Sequence, residues 1–93
     1  MSVDRRIALV TGASGGIGSA VGRLLAGRGY TVLLHANRNV DAARALADEL
    51  CAAGMDAHAC ACDLADSAQV AARCDELLAI YHRVDALALC AGV

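Results

Sequence analysis

A glycine-rich turn directly after an apolar segment is the part of this sequence that points most clearly to chemistry. The apolar segment Ile7–Val10 is followed by glycines at positions 12, 15, 16 and 18. Gly12 permits a tight turn, Gly16 lets the backbone approach a ligand without a Cβ in the way, and Gly18 allows close helix packing. A helix beginning in this turn offers unpaired N–H groups to an anion, which predicts a phosphate or pyrophosphate site. Its candidate residues are Gly12, Ser14, Gly15, Gly16, Ile17 and Gly18.

A polar cluster follows the second apolar segment at the distance where a dinucleotide-binding βαβ unit reads the ribose. Asn37 lies 19 residues after Gly18, just beyond the run Thr31–His35. An NAD site usually has a carboxylate there, whereas this chain has neutral Asn37 and then cationic Arg38. Because a guanidinium binds phosphate oxygens well, the pair favours NADP(H) over NAD(H). The alternative is that Arg38 is an ordinary exposed loop residue.

Hydrophobic periodicity supplies the elements that would position these residues. It predicts strands near 6–11, 31–35, 56–62 and 86–90, and helices near 16–28, 40–53 and 67–80. Asp41 suits the start of the second helix, Gly54 suits its end, and Ser67 is the expected cap of the third. Alternating strands and helices predict a single α/β domain over 1–93, with parallel strands joined by right-handed crossovers. The expected packing stripes are Ile17, Val21, Leu24 and Leu25 in the first helix, and Ala43, Leu46, Ala47 and Leu50 in the second.

The sequence resembles the short-chain dehydrogenase/reductase family along its whole length. Thr11–Gly18 is similar to the family's Thr-Gly-x-x-x-Gly-x-Gly turn, and Asp63-Leu64 is similar to its adenine-contacting pair. Arg83–Gly92 resembles the strand that leads into its Asn-Asn-Ala-Gly motif. The resemblance implies a three-layer Rossmann-type sheet in the order 3-2-1-4, bound to NADP(H). It adds Asp63, Leu64, Cys90, Ala91 and Gly92 to the expected cofactor-binding residues.

The chain departs from the family pattern at two places. Gly15 stands where NADPH-dependent relatives often have Arg or Lys, which leaves Arg38 as the expected partner of a 2′-phosphate. Leu89-Cys90 replaces the paired asparagines, so the side-chain amides that help to hold the nicotinamide side of the family's pocket are missing.

The family's catalytic Ser and Tyr-x-x-x-Lys lie beyond the fourth strand, and this sequence contains no lysine. No residue is therefore expected to be catalytic, since general acid catalysis needs its proton donor within reach. Among family members, Val32–Asn39 is most similar to bacterial 3-oxoacyl-acyl-carrier-protein reductases. The expectation is an N-terminal, cofactor-binding fragment of an NADPH-dependent reductase of fatty-acid synthesis, inactive alone, whose full-length parent takes an acyl-carrier-protein thioester. The alternatives are a different carbonyl or alcohol reductase, a stand-alone nucleotide-binding module, and an inactive relic that keeps the turn only as structure.

Composition excludes several other classes of function. The chain has 93 residues, a net charge of −2 and no basic cluster, which argues against nucleic-acid binding. No segment approaches the ~20 apolar residues of a membrane helix, and the cytoplasm is the expected compartment. Five cysteines indicate free thiols, and the Cys60/Cys62 spacing near His58 does not favour a metal site. An exposed apolar edge at the last strand predicts self-association or a homo-oligomer.

Overall fold

The computed structural model describes residues 6–13, 15–37, 40–81 and 84–89. Within these ranges, strands and helices alternate in the expected order, and their ends differ from the expected ones by no more than one residue. None of these helices is both long and apolar enough to cross a membrane. The strands are β1 (Ile7–Thr11), β2 (Thr31–Ala36), β3 (Ala57–Ala61) and β4 (Ala86–Leu89), and the helices are α1 (Gly16–Gly27), α2 (Val40–Ala52) and α3 (Ser67–Tyr81).

The strands form one parallel sheet in the order β3-β2-β1-β4, which confirms the expected topology. Val10 of β1 lies opposite Leu34 of β2, and Thr11 of β1 lies opposite Leu89 of β4. The chain moves from β1 through β2 to β3 and then returns to place β4 on the other side of β1. The strand order therefore reverses between β1 and β4, and open parallel sheets form their ligand crevice at the carboxyl ends of the two strands on either side of such a reversal.

One face of the sheet is buried beneath α1 and α2. Val10, Val32 and Leu34 are completely buried at its centre. Asp41 lies in the first turn of α2, and Gly54 follows its end with a φ of +88°, as expected for both. Helix α2 packs on the sheet through the stripe that the sequence predicts. Its buried residues are Ala43, Leu46, Ala47 and Leu50.

Helix α1 packs through small residues instead of through the whole expected apolar stripe. Val21 and Leu25 are partly buried against the core, but Ile17 is 77% exposed and Leu24 is 55% exposed, so the prediction for those two residues is wrong. The physical reason is the closeness of the helix to the sheet, which leaves little room for larger side chains on its inner face. The buried residues of α1 are Gly18, Gly22 and Ala26.

The opposite face of the sheet is packed much more loosely by the described part of the chain. Helix α3 lies on this face, which confirms the three-layer arrangement, but none of its residues is buried. A cavity of about 60 Å³ separates it from the sheet. On the same face, Leu87 and Leu89 of β4 are 56% and 76% exposed. The core is therefore concentrated on the side of α1 and α2.

Helix α3 begins with a different cap from the expected one. Asp66 Oδ1 accepts hydrogen bonds from the backbone N–H groups of Ala68 at 3.0 Å and Gln69 at 3.3 Å. Ser67 is already the first helical residue. A capping side chain must precede the helix to reach the N–H groups of its second and third residues. Asp66 is therefore the cap, and the prediction for Ser67 is wrong.

Candidate functional site

The loop between β1 and α1 forms the tight turn that the sequence predicts. Gly12 has a φ of +67°, in the left-handed region that favours glycine. The N–H of Gly15 donates to the carbonyl oxygen of Gly12 at 3.2 Å and closes the turn. Gly15 precedes α1 and provides no side-chain cap. The N–H groups of the first turn of α1 have no intrahelical acceptors, and with the helix dipole they favour an anion at this position.

Gly16 and Gly18 have opposite surroundings. A Cβ added to Gly18 would lie 2.2 Å from the carbonyl oxygen of Gly12 and 2.8 Å from its carbon, so α1 approaches the turn too closely for any side chain there. A Cβ added to Gly16 would meet nothing within 4 Å, and the neighbouring Ile17 is exposed. Gly18 thus joins the helix to the turn, while Gly16 lies on the open side from which a ligand can approach.

Two other sequence-predicted residues meet directly at the same edge of the sheet. The backbone N–H of Leu64, in the loop after β3, donates to Asn37 Oδ1, at the end of β2, at 2.9 Å. In that loop Asp63 Oδ1 accepts a hydrogen bond from the N–H of Ala65 at 3.0 Å. The carbonyl of the Asn37 amide is thus used within the protein, while its NH₂ group carries two further donors. The ends of β2 and β3 therefore form one connected wall.

His35 links this wall to the glycine turn, a role that the sequence analysis missed. The residue is buried, with 3% of its surface exposed. Its Nδ1 accepts a hydrogen bond from the N–H of Gly12 at 3.2 Å, and its Nε2 lies 2.8 Å from the carbonyl oxygen of Cys62. These two partners require the neutral tautomer that carries its proton on Nε2, which donates to Cys62. The backbone carbonyl of His35 also accepts from the N–H of Ala13 at 2.8 Å.

One signal in the sequence points towards this role of His35. A histidine at the end of an otherwise apolar strand is a polar group in a buried position, and such groups need hydrogen-bond partners. From the sequence, His35 is placed only at the end of the second apolar segment, Thr31–His35. Its partners come from the loops after β1 and β3, and nothing in its local sequence identifies them.

Polar contacts also fix the β1–β4 side of the crevice. Thr11 Oγ1 donates to the carbonyl oxygen of Ala88 at 3.3 Å, near the carboxyl ends of both strands. At their opposite ends, Asp85 Oδ2 accepts from the N–H of Ile7 at 2.8 Å, and the N–H of Asp85 donates to the carbonyl of Ile7 at 2.8 Å. The register of β4 on β1 is therefore held at both ends.

Part of the predicted site lies outside the described residues. The structure brings together the glycine turn, Asn37, Asp63 and Leu64 at the carboxyl edge of the sheet. The predicted positions that lie outside the described residues are Ser14, Arg38, Cys90, Ala91 and Gly92.

Burial raises the pKa of two thiols beneath this edge, Cys62 and Cys60. The pKa of Tyr81 is also raised, first by burial and then by the negative charge of Asp56. All three groups are therefore neutral near pH 7. Sequence spacing argues against metal binding at Cys60, Cys62 and His58, and the described ranges assemble no group of three potential metal ligands.

Comparison with known proteins gives one consistent family. The family model for short chain dehydrogenases matches residues 6–93. The chain is 40% identical over 92 residues to D-threitol dehydrogenase of Mycolicibacterium smegmatis, covering 98% of this chain and 35% of that protein. It is 36% identical over 86 residues to the 3-oxoacyl-[acyl-carrier-protein] reductase FabG of Staphylococcus aureus, covering 92% and 35%. The chain thus spans about a third of the length of these relatives.

A solved structure shares the same architecture. A metagenomic short-chain oxidoreductase, crystallised in complex with NADP, superimposes with a TM-score of 0.83 at 45% sequence identity. The match covers 88% of this chain and 37% of the oxidoreductase chain.

Proposed function

This chain belongs to the short chain dehydrogenase family, and we propose that it binds NADP(H) at the carboxyl edge of its sheet as the cofactor-binding part of an oxidoreductase. The observation that carries the proposal is the convergence of three loops on that edge. The glycine turn and α1 supply N–H donors, and Asn37 and Leu64 form a wall beside them. His35 joins the turn to this wall. The cofactor supplies the hydride chemistry, and these residues bind and orient it.

In this proposal the dinucleotide's pyrophosphate lies against Gly16 and the first turn of α1. Gly16 has open space where a Cβ would stand, so the backbone allows a close approach. The adenine end lies towards Asp63 and Leu64, since these residues follow the neighbouring strand. Ser14, Gly15 and Ile17 complete the turn, and Cys90, Ala91 and Gly92 are assigned to the nicotinamide side by their place in the family motif.

Replacing Arg38 with Asp tests the preference for NADP(H). The change removes a cation and adds an anion beside the expected 2′-phosphate, so the affinity for NADPH should fall by about tenfold or more while that for NADH changes little. Fluorescence titration with both cofactors measures the difference. Arg28→Asp is the matched control, because it makes the same charge change at the far end of α1. Equal losses for the two cofactors, or an equal effect of Arg28→Asp, would show that Arg38 does not read the 2′-phosphate.

The proposed reaction is NADPH-dependent reduction of a 3-oxoacyl thioester to a 3-hydroxyacyl thioester in cytoplasmic fatty-acid synthesis. The likeness to the staphylococcal FabG supports this substrate, and the likeness to D-threitol dehydrogenase supports a different carbonyl or alcohol substrate as the second candidate. Either reaction needs a proton donor, and we assign none to these 93 residues. The acyl-carrier-protein thioester would therefore be a substrate of a longer protein. The intact mass of the natural gene product distinguishes this proposal from a stand-alone nucleotide-binding module of 9.4 kDa.

We further expect a chain of these 93 residues to self-associate. Leu87 and Leu89 expose apolar surface on β4, and apolar edge strands promote association. Sedimentation velocity should show species larger than a monomer at tens of micromolar, and Leu89→Lys should shift them towards the monomer. A wild-type chain that sediments as a monomer and binds no hydrophobic dye would contradict this expectation.

A further inference from the structure

A group of cysteine side chains lies between α3 and the sheet, on the face opposite to α1 and α2. Three thiols, those of Cys60, Cys62 and Cys74, line the cavity of about 60 Å³ that separates the helix from β3. Cys62 is buried, Cys60 is half-buried and Cys74 is exposed. The proposed cofactor contacts use none of these three sulfur atoms, so their grouping calls for a separate explanation.

The geometry of the cavity favours one pair of thiols. Cys60 and Cys62 are two residues apart along one extended segment, which places their Cα atoms roughly 6.6 Å apart with parallel side chains, a poor arrangement for a disulfide. Cys74 comes from the helix on the other side of the cavity. Cys62 lines the same cavity as Cys74, from the side of the sheet. Its pKa is raised mainly by burial, and the charges of Arg73 and Cys74 also act on it, in agreement with a sulfur near that part of α3. Cys62 and Cys74 therefore face each other across the cavity.

Helix α3 has the freedom that bringing these sulfurs together requires. None of its residues is buried, and the cavity beneath it is large enough for water, so no close-packed contact opposes a small inward shift. The cavity side of the helix is formed by Val70, Arg73, Cys74 and Leu77.

We propose that Cys62 and Cys74 are a site of oxidation, at which a peroxide forms a disulfide that fastens α3 to the end of β3. Cys74 is the first to react, because it is exposed whereas burial keeps the Cys62 thiol protonated. The Cys74 sulfur attacks one peroxide oxygen, the O–O bond breaks, and Cys74 sulfenic acid and one water form. The Cys62 sulfur then attacks the sulfenic sulfur, an S–S bond forms, and the hydroxide that leaves takes up the Cys62 proton. Both sulfurs are oxidised, and hydrogen peroxide is reduced to two waters.

The site is independent of the proposed cofactor function, since the disulfide needs no nucleotide. Its test is peptide mapping after treatment of the 93-residue protein with hydrogen peroxide and alkylation of the remaining thiols. Trypsin cleaves after Arg44, Arg73 and Arg83, which separates Cys62 from Cys74. We expect a crosslinked pair of peptides 45–73 and 74–83, two hydrogens lighter than their sum, that separates on reduction. It should form at a peroxide concentration that leaves Cys51 open to alkylation.

Variants assign the bond, because peptide 45–73 also contains Cys51 and Cys60. The crosslink should persist in Cys51→Ser and Cys60→Ser and disappear in Cys62→Ala and Cys74→Ser. Cys51→Ser is the matched control, since Cys51 is also exposed but lies in the last turn of α2 and does not line the cavity. Cys74→Ser changes an exposed residue and should fold normally by circular dichroism. Failure of the wild type to form the crosslink, its persistence in Cys62→Ala, or its presence only in covalent dimers would overturn the proposal.

Discussion

Replacing Gly18 with Ala is expected to lower the free energy of unfolding by about 3 kcal/mol, the upper part of the range for overpacked positions. The new Cβ would lie 2.2 Å from the carbonyl oxygen of Gly12 and 2.8 Å from its carbon. Both are backbone atoms of a turn whose shape depends on the left-handed conformation of Gly12, so the clash is relieved only by separating α1 from the turn. NADPH affinity should fall with stability. Urea denaturation followed by circular dichroism measures the first effect, and cofactor titration measures the second.

Three other glycines of α1 provide controls of graded severity. A Cβ on Gly22 would approach Leu34 Cδ2 at 2.8 Å, and because this is the end of a flexible side chain, Gly22→Ala should cost only about 1 kcal/mol. Gly27 faces open space, so Gly27→Ala should stabilise the helix by up to about 1 kcal/mol. Gly16→Ala should leave the fold intact and weaken NADPH binding. If Gly18→Ala were as stable as Gly27→Ala, the conclusion that α1 packs too closely on the turn for a Cβ at position 18 would be contradicted.

Replacing His35 with Leu is the second change for which we expect a large loss, again about 3 kcal/mol of unfolding free energy. It removes the acceptor of the Gly12 N–H and the donor to the Cys62 carbonyl, and a buried polar group left without a partner costs about 1–3 kcal/mol. It also disconnects the glycine turn from the loop that holds Leu64. The affinity for NADPH should therefore fall by about tenfold, which corresponds to about 1.4 kcal/mol of binding free energy. Thermal denaturation and fluorescence titration measure the two effects.

Conservative variants of His35 separate its two contacts. Asn at this position keeps an acceptor near the place of Nδ1, and Gln keeps a donor near the place of Nε2, so each should restore part of the stability and of the affinity. His58→Leu is the matched control, since His58 is exposed on β3 and its hydrogen bond to Asp56 Oδ1 is also exposed to solvent. That change should alter stability by no more than about 0.5 kcal/mol. If His35→Leu and His58→Leu lowered stability equally, His35 would not have the positioning role assigned to it.

Much of the architecture could be predicted from local pattern. The alternation of strands and helices follows from hydrophobic periodicity, and the resemblance to a family implied the strand order that the sheet has. In α2 the expected stripe is the buried one, because alanine and leucine at helical spacing face a sheet at an ordinary distance. Gly54 ends this helix as predicted, since the left-handed conformation required there is a local property of glycine.

The errors arise where tertiary distance decides the outcome. Ile17 and Leu24 have the right type and spacing for a core stripe, but they are exposed. Helix α1 meets the glycine turn and Leu34 of β2 through Gly18 and Gly22, where a Cβ would be too close. The cap of α3 is Asp66 and not the predicted Ser67. The two assignments differ by one residue at the start of the helix, and sequence patterns do not resolve helix ends that finely. His35 was missed because its partners lie 23 and 27 residues away in the sequence.

Helix α3 packs loosely on the sheet, and the two ends of the proposed cofactor site therefore differ in local stability. The side chain of Gln69 in α3 accepts a hydrogen bond from the N–H of Asp63 at 3.2 Å. The loop on the adenine side is therefore supported by a helix that has no buried residue. Segments with so few buried contacts open by local unfolding far more often than the whole domain does. The glycine turn packs against α1, which approaches Gly12 too closely to admit even a Cβ at Gly18. A dinucleotide would therefore find its phosphate subsite already formed and would have to order the adenine subsite as it binds, which lowers affinity at that end.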